Sequence, residues 1–439
     1  MQHTPSFPDT DDSDSVDITL TDAAEGDGCF GKRDDGRTVL VHGPGVPGDT
    51  VQATPLRESG KLPRYRLLRV AVPGPHRIEP DCPHFGKCGG CKWMATTQDH
   101  EATLKANSFE NALRRLGGFD APPLRPLVPA PARVHYRNKL ELVPIPEQER
   151  WGLHAFGNSK RTVALDACAI AHPLLSESLL HLEEEPELTQ TMSRASLRLH
   201  NDNAVILVLH GKKPPTPAQI KTLSPFAGIW WKGENDKPAR RLHGPEALLQ
   251  TQGSISFHLL PTAFFQINPQ QTETVLQLVL DAADDAGPVS SVVDLFCGAG
   301  LFALHLAAPG RSVTGLELAG DGLASAALTQ AALPSDHPGR QVTFREADLS
   351  TGLPPSTPDA DLVIVDPPRS GCTPDLLDQL AKRSWKRLIY VSCNPATLAR
   401  DLKHLAANPD LCLTAVTPVD CFPNTGHVEG VALVDRISE

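Results

Sequence analysis

The sequence predicts an α/β protein in three parts: a C-terminal doubly wound sheet, an α+β middle region and an N-terminal β-barrel. Strand-like and helix-like segments alternate after Pro261, which is typical of a parallel sheet covered by helices. Short alternating segments separated by turns fill residues 15–75 and indicate a small barrel of OB-like size. A chain of 439 residues is long enough for two or three domains.

The predicted domain boundaries follow these changes of pattern. Residues 1–14 form an acidic tail that we expect to be disordered, and residues 15–75 form the barrel. Residues 76–260 form the middle region, and residues 261–439 form the doubly wound domain. Apolar residues at helical spacing over 96–118 predict a helix, which we expect to pack on the C-terminal domain.

Individual strands are predicted from short apolar or alternating runs between turn residues. The barrel strands are expected at VDITL, TVLVHG, DTVQATPL and YRLLRVAV, and the middle strands at KLELVPI, AVILVLHG and GIWWKG. The C-terminal strands are expected at SVVDLF, SVTGLEL, QVTFREAD, DLVIVDPP, RLIYVSCN and EGVALVDRI. A ligand of a doubly wound sheet binds beyond the carboxyl ends of its strands, so residues there are the first candidates for a site.

The charge of the chain is distributed unevenly. The formal net charge of -11 taken alone argues against a nucleic-acid partner. However, the segment 1–28 holds eight acidic side chains and no Lys or Arg, whereas the segment 61–161 holds 17 Lys or Arg against nine Asp or Glu. The basic segment therefore indicates an RNA-facing surface. No apolar run is long enough to span a membrane and no secretory signal is visible, so we expect a cytoplasmic protein without a membrane partner.

Cysteine spacing indicates a metal or cluster site. Cys82, Cys88 and Cys91 are separated by five and two residues, and Cys168 lies much farther along the chain. Three clustered cysteines and a distant fourth suit either a [4Fe–4S] cluster or a structural zinc ion, and spacing alone does not choose between them.

A glycine-rich turn is the first candidate cofactor site of the C-terminal domain. The segment DLFCGAG, from Asp294 to Gly300, ends a strand before a helix, where glycines let the backbone approach a ligand. Glu317 stands about 20 residues after Gly298, at the end of the next strand, and can bind ribose hydroxyls. The third glycine of the dinucleotide fingerprint is absent, so the motif fits S-adenosylmethionine (SAM) better than NAD.

Three further strand-end motifs carry candidate chemistry. Asp366 opens the DPPR segment after the fourth strand and can contact a cofactor or a base. Cys393 ends the next strand as a candidate nucleophile, and we expect the following helix N-terminus to favour its thiolate. Glu429 stands just before the last strand, where a carboxylate can act as a general base.

Several motifs in order give a resemblance that covers nearly the whole chain. They are GDGCFGKRDDGRTVLVHGPGVPGD, CPHFGKCGGC, YRNK, FFQIN, DLFCGAGLF, DPPRSG, SCNPATLARDL and DCFPNTGHVE. Together they resemble the SAM-dependent 5-methyluridine RNA methyltransferases, and most closely the 23S rRNA (uracil-5-)-methyltransferase branch with an N-terminal TRAM domain.

The resemblance implies a function and a set of site residues. It implies a [4Fe–4S] cluster on the four cysteines, Cys393 as the nucleophile, Glu429 as the base, a 23S rRNA substrate and a monomer. The SAM contacts that it implies are Gln266, Phe296, Glu317, Asp348 and Asp366.

A covalent route explains why this reaction needs a cysteine. C5 of uracil is a poor nucleophile, and a thiolate that adds to C6 gives C5 carbanion character. The DPPR segment holds no second cysteine, which favours uracil over cytosine. The alternatives are a tRNA uridine-5 methyltransferase, a non-catalytic RNA-binding protein that retains the fold, and a redox protein built on the cysteines.

Overall fold

The computed structural model describes residues 14–24, 26, 28–56, 62–233 and 238–437. The acidic tail predicted for residues 1–14 lies outside the described residues, except for its last residue.

A closed five-stranded barrel forms the N-terminal part, as predicted. Its strands run in the order β1-β2-β3-β5-β4 around the barrel, and inward residues such as Ile18 and Leu20 alternate with exposed ones. Four strands match the sequence prediction, whereas β2 was not predicted because two of its five residues are glycines. The barrel strands are β1 (Val16–Ala23), β2 (Gly28–Lys32), β3 (Thr38–His42), β4 (Thr50–Pro55) and β5 (Arg64–Val72).

Helix α1 (Gln98–Arg115) lies within the segment predicted as a helix. Acidic residues in its first turn and arginines in its last turn complement the helix dipole. Phe109 and Leu113 are fully buried and belong to the hydrophobic core on one face of the C-terminal sheet. The helix thus joins the N-terminal half of the chain to the C-terminal half.

The middle region is built on a seven-stranded mixed sheet with strand order β12-β11-β10-β9-β6-β7-β8. Its core contains Leu140, Trp151, Leu175 and Leu197, which lie between the sheet and α2. The predicted runs KLELVPI and AVILVLHG are β6 and β10. The elements are β6 (Lys139–Ile145), β7 (Arg150–Ala155), β8 (Asn158–Ala164), α2 (Pro173–Glu183), α3 (Leu188–Thr191), β9 (Met192–His200), β10 (Ala204–Gly211), α4 (Pro217–Thr222), β11 (Gly228–Lys232) and β12 (Arg240–His243).

A hairpin of β13 (Leu248–Gln252) and β14 (Ile255–Leu259) lies against the C-terminal domain. Phe257 packs in the same core as the C-terminal helices. Hydroxyl oxygens of α7 (Gly320–Ala332) accept hydrogen bonds from two backbone N–H groups at the end of β14, at 2.9 and 3.0 Å. The hairpin precedes residue 261, where the sequence pattern changes, yet its side chains pack into the core of the C-terminal domain.

The C-terminal sheet has seven strands in the order β17-β16-β15-β18-β19-β21-β20, with a hydrophobic core on each face. Runs such as LVIV in β18 are buried on both sides, as expected of central parallel strands. Its elements are α5 (Pro269–Asp284), β15 (Ser291–Leu295), α6 (Leu301–His305), β16 (Ser312–Glu317), α7, β17 (Thr343–Glu346), β18 (Leu362–Val365), α8 (Pro374–Lys382), β19 (Arg387–Ser392), α9 (Pro395–Leu405), β20 (Leu411–Val419) and β21 (Glu429–Arg436).

The C-terminal sheet differs from the prediction in two respects. Five strands are parallel, but β21 pairs antiparallel with both β19 and β20 at one edge of the sheet. Strand β20 was not predicted, since threonines and Pro418 interrupt its apolar pattern. The strand order reverses at β15 and β18, so the crevice beyond their carboxyl ends is the topological switch point where ligands of such sheets bind.

Three short 3-10 helices complete the described elements, at Pro146–Gln148, Pro338–Gln341 and Leu349–Thr351. Among the described residues, no helix is both long and apolar enough to cross a bilayer.

Candidate active site

The turn after β15 is built from left-handed backbone conformations. Phe296, Gly298 and Gly300 have φ angles of 60°, 54° and 85°. A left-handed phenylalanine is strained by about 1 kcal/mol or more, and such strain is concentrated at functional sites. A Cβ built on Gly298 would meet only open space, whereas one on Gly300 would lie 2.6 Å from the Phe344 ring. The two glycines therefore serve different purposes: one leaves space beside the backbone, and the other permits close packing.

Glu317 fixes this turn from the end of β16. One carboxylate oxygen accepts a hydrogen bond from the Gly298 N–H at 2.9 Å, and the other accepts from the Ala319 N–H at 2.7 Å. Each oxygen retains lone pairs for a further donor, such as a hydroxyl group. Glu317 therefore lies at the crevice, as its position at a strand end predicts.

Two more carboxyl groups are buried at the same edge of the sheet. Asp294 in β15 accepts a hydrogen bond from the Ala303 N–H at 3.0 Å, and burial raises its pKa to about 8. Its second oxygen, Oδ1, is buried and receives no donor from the described residues. Asp366 directly follows β18, and burial together with Glu429, Asp294 and Glu317 raises its pKa well above the usual range. Crowded carboxyl groups of this kind disfavour negative charge and suit a cationic ligand.

Gln266 and Glu429 line the same narrow cavity, together with Leu301 and Cys421. The loop that carries Gln266 is tied to the middle region by Asn138. The Asn138 side chain donates to the Gln266 carbonyl at 3.2 Å, and its N–H donates to the Ile267 carbonyl at 2.9 Å.

Asp348 lies apart from this group, just beyond β17. It is exposed, and its Oδ1 accepts hydrogen bonds from the N–H and the hydroxyl of Ser350 at 3.0 and 2.6 Å. These bonds lower the pKa of the Asp348 carboxyl and cap the short helix that begins at Leu349. The neighbouring Ala347 N–H donates to the Glu317 carbonyl at 2.9 Å, which places this loop at the same edge of the sheet.

Cys393 is half-buried between β19 and α9. Burial raises the pKa of its thiol, the carboxylates of Glu429 and Asp366 raise it further, and the Arg369 guanidinium opposes them. The net shift therefore runs against the effect that we expect of the helix N-terminus on the thiolate. Desolvation and two nearby acids outweigh the end of one helix, whose first free N–H is already capped by the Asn394 side chain at 3.0 Å.

The loop after Asp366 is tied to the loop that carries Cys393. The Arg369 carbonyl accepts hydrogen bonds from Asn394 Nδ2 at 3.1 Å and from the Thr397 hydroxyl at 3.2 Å. The Arg369 guanidinium lies 3.4 Å from the His427 ring nitrogen Nε2. Desolvation, followed by Arg369, lowers the pKa of His427 to about 4, so this ring is neutral near pH 7.

Glu429 begins β21 and is 4% exposed. Burial raises the pKa of its carboxyl group, and a hydrogen bond from the Cys421 thiol opposes this rise. Burial and the same contact raise the pKa of Cys421 well above the usual range. A carboxyl group with a raised pKa is suited to accept a proton near neutral pH.

A second group of thiols lies in the middle region. Cys82, Cys88, Cys91 and Cys168 line one cavity of about 600 Å³, which Arg137 also lines. Burial raises the pKa of three of these thiols, and Arg137 opposes the rise in each. The fold thus brings Cys168, which is distant in sequence, to the same cavity as the other three cysteines.

Cavity lining brings the four thiols together without showing what they bind. Among the described residues, no group of three or more His, Cys, Asp or Glu side chains is placed to hold a metal ion. All ten cysteines belong to the described part of the chain, and all ten are free of disulfide bonds. We refer to the cavity lined by Cys82, Cys88, Cys91 and Cys168 as the four-thiol cavity.

The structure gathers most of the predicted site residues at one edge of the C-terminal sheet. Sequence reasoning overlooked Asp294, Cys421 and the polar contacts of the loop before Glu429. Asp294 could have been found as the acidic residue that opens the glycine-rich motif. Cys421 lies in the DCFPNTGHVE segment, but nothing in that segment indicates its contact with Glu429, which forms only when the chain folds.

Comparisons with known proteins agree on one family. Residues 356–437 match the family model described as tRNA (Uracil-5-)-methyltransferase. An uncharacterized RNA methyltransferase of Chlorobaculum tepidum is 31% identical over 477 residues, covering 96% of each chain. The 23S rRNA (uracil(1939)-C(5))-methyltransferase RlmD of Alkalilimnicola ehrlichii is 31% identical over 423 residues, covering 92% of each.

A solved structure shares the fold. The Pyrococcus abyssi tRNA (uracil-54, C5)-methyltransferase, in complex with S-adenosyl-L-homocysteine, superposes with a TM-score of 0.74 at 22% identity. The match covers 95% of this chain and 99% of that one. Because the similarity to these relatives extends over nearly the whole chain, the chain belongs to the RNA (uracil-5-)-methyltransferase family.

Proposed function

We propose that the protein transfers a methyl group from SAM to C5 of a uridine in 23S rRNA, through a covalent bond between Cys393 and C6. The observation that carries this proposal is the meeting of one half-buried thiol with the buried carboxyl groups of Glu429 and Asp366 at the switch-point edge of the sheet. Family membership supplies the reaction class, and the site supplies a nucleophile and a base for it.

SAM is assigned to the crevice beyond β15 and β16. Gly298 leaves open space beside the backbone, and Glu317 holds lone pairs that can bind ribose hydroxyls. Phe296, Gln266 and Asp366 complete the proposed contacts, and Asp348 lies at the outer end of the same edge. Crowded acids favour a positively charged sulfonium ligand. When bound, SAM supplies an electrophilic methyl group.

The residues of the chain act on the base. The Cys393 thiolate adds to C6 of uracil, and the electrons of the C5–C6 double bond move toward O4 and leave C5 nucleophilic. After C5 is methylated, Glu429 removes the C5 proton, and the C6–sulfur bond breaks to restore the aromatic ring and free Cys393. The raised pKa of Glu429 matches this proton transfer.

Glu429→Gln isolates the proposed base. We expect the variant to form the covalent protein–RNA adduct and to resolve it more slowly by a factor of about 10² or more. The adduct would be visible on a denaturing gel, where Cys393→Ser serves as the matched control that cannot form it. Absence of adduct in Glu429→Gln would contradict the assignment of the base.

The choice of 23S rRNA rests on the relative that is 31% identical over most of the chain and carries that name. A tRNA substrate is the second candidate, because the family model and the solved structure are named for tRNA. Mapping 5-methyluridine in rRNA and tRNA from cells with and without the gene decides between them. Loss of the modification from tRNA alone would contradict the rRNA assignment.

We also propose that the barrel is a TRAM-like RNA-binding module. Its surface carries exposed basic residues on β2 and β5 and in the turn between β2 and β3, among them Lys32, Arg37, Arg64 and Arg69. Charge reversal at Arg64 and Arg69 should weaken RNA binding and reduce its salt dependence, while SAM binding stays unchanged.

A [4Fe–4S] cluster is proposed for the four-thiol cavity. Each thiolate of such a cluster binds a different iron, so the four sulfurs surround a volume instead of converging on one ion. The four thiols line one cavity of about 600 Å³, which has room for such a cluster. The cluster would hold the cysteine loops in place. Anaerobic purification with iron and sulfide analysis tests it, and a preparation with zinc alone would contradict it.

A further inference from the structure

The loop between β20 and β21 contains a buried asparagine in an unusual conformation. Asn424 is 1% exposed and has a φ angle of 67°, in the left-handed region. It stands five residues before Glu429. Asparagine tolerates this conformation better than other non-glycine residues, but a fully buried one persists only where its surroundings hold it.

Four hydrogen bonds hold Asn424. Its N–H donates to Glu101 Oε1 at 2.7 Å, and its side-chain Nδ2 donates to the Arg133 carbonyl. Its own carbonyl accepts from the N–H groups of Lys92 and Trp93, both at 2.8 Å. Three separate segments therefore contact one residue. They are helix α1, the segment directly after Cys91 and the segment before β6 that contains Arg133.

The partner in α1 is itself fixed. The Glu101 carboxylate lies 2.8 Å from Lys105 Nζ and 3.0 Å from Arg133. Lys105 also lies 2.6 Å from Asp420 at the start of the loop, and it donates to the Phe422 carbonyl at 3.1 Å. Buried charges of this kind are costly unless every member is paired, so the network specifies one position of the loop.

We propose that Asn424 is a positioning residue for Glu429, through which α1 and the segment directly after Cys91 set the placement of the base. This inference rests on the proposed function, because it assumes that Glu429 removes the C5 proton. General-base catalysis depends on the distance to the proton, so a small displacement of the loop slows this step. Methyl transfer itself needs only Cys393 and SAM and should be less affected.

Two substitutions remove the side-chain contact and leave the backbone conformation in place. Asn424→Gly keeps the left-handed backbone and its backbone hydrogen bonds but removes the donor to Arg133. Asn424→Asp keeps the shape and places a carboxylate against the Arg133 carbonyl. Asn201→Gly is the matched control, since Asn201 is also left-handed, with a φ of 47°, in the turn between β9 and β10.

The measurement is the fraction of enzyme trapped as methylated protein–RNA adduct during turnover, together with kcat and the Kd for SAM. We expect kcat to fall about tenfold in both Asn424 variants, with adduct accumulation and an unchanged Kd for SAM. Asn201→Gly should behave as the unmodified protein. A fall in activity that only matches the loss of folded protein, without adduct, would overturn the proposal, and so would unchanged kcat.

Glu429→Gln is measured in parallel as the reference. If it traps adduct and the Asn424 variants do not, positioning by Asn424 is wrong while the proposed function stands. If it traps no adduct, the base assignment fails and this inference fails with it. Should neither Asn424 variant fold, Glu101→Gln tests the same contact from α1, and adduct accumulation is again the expected result.

Discussion

Two thiol environments in this protein differ in what surrounds the sulfur. Cys393 is a single thiol at the end of a central strand, where it faces carboxyl groups and one arginine. The other site gathers Cys82, Cys88, Cys91 and Cys168 from loops around one cavity. We propose that the same side chain serves covalent catalysis in the first setting and holds a cluster in the second. Its neighbours, and not its residue type, set the role.

The two sites also differ in how they are held. Backbone hydrogen bonds of the sheet and the ties between the Arg369 and Cys393 loops fix Cys393. The cysteines of the cavity lie outside the named strands and helices, and Cys88 takes part only in an isolated bridge to Ala155. A site on loops depends more strongly on what it binds, so the two should respond differently to loss of a thiol.

The largest expected effect is that of Cys393→Ser. A serine hydroxyl is a far weaker nucleophile than a thiolate, so methyl transfer should fall by about 10³-fold or more. Binding of SAM and thermal stability should change little, because the crevice beyond β15 is untouched. Cys412→Ser, at an exposed thiol on β20, is the control that should retain full activity. An active Cys393→Ser enzyme would rule out the covalent route.

Cys91→Ala should lower the stability of the protein, which Cys393→Ser should leave nearly unchanged. Loss of one ligand should abolish the bound iron and sulfide and destabilise the protein by about 2 kcal/mol or more, because the loops lose their shared support. Iron analysis and thermal unfolding measure both effects. Cys29→Ala removes a buried thiol of the barrel and should retain iron. Full stability of Cys91→Ala would show that the cavity does not depend on a bound group.

A smaller and sharper contrast is expected between Gly298→Ala and Gly300→Ala. Gly298→Ala places a methyl group in the open space that we assign to SAM, so it should weaken SAM binding about tenfold. Because Gly298 is itself left-handed, the substitution should also cost about 1 kcal/mol of stability. The second drives a methyl group into Phe344 and should mainly lower stability. Calorimetric binding and thermal unfolding separate the two. Equal SAM affinity in both variants would contradict the placement of the ligand.

The smallest effect, taken over a single pH unit, concerns how the stability of the fold depends on pH. Asp294 has a pKa of about 8 when folded against 3.8 ordinarily, so between these values the folded protein retains a proton that the unfolded chain releases. The free energy of unfolding should therefore fall as pH rises through this window, by about 1 kcal/mol per pH unit. Asp294→Asn should remove this part of the slope and be relatively more stable at pH 8 than at pH 5. Chemical denaturation of both proteins from pH 5 to pH 8 measures this. The same pH dependence of the free energy of unfolding in both proteins would contradict the prediction.

Local pattern predicted much of the fold. Runs such as KLELVPI and AVILVLHG became β6 and β10 because burial of an apolar run is decided within a few residues. Strands β2 and β20 were not predicted, since glycines or Pro418 mask their pattern and tertiary pairing stabilises them. The antiparallel edge formed by β21 likewise depends on pairing that no local pattern contains.

The candidate site divides in the same way. The sequence by itself determined which residues stand at strand ends, because parallel strands bring their carboxyl ends to one edge; this is how Cys393, Glu317 and Asp366 were found. Only the tertiary structure decided their electrostatics. Desolvation and neighbouring acids raise the pKa of Cys393 instead of lowering it, and these act through space. The contact of Asn424 with Glu101, which lies in the N-terminal half of the chain, is of the same kind.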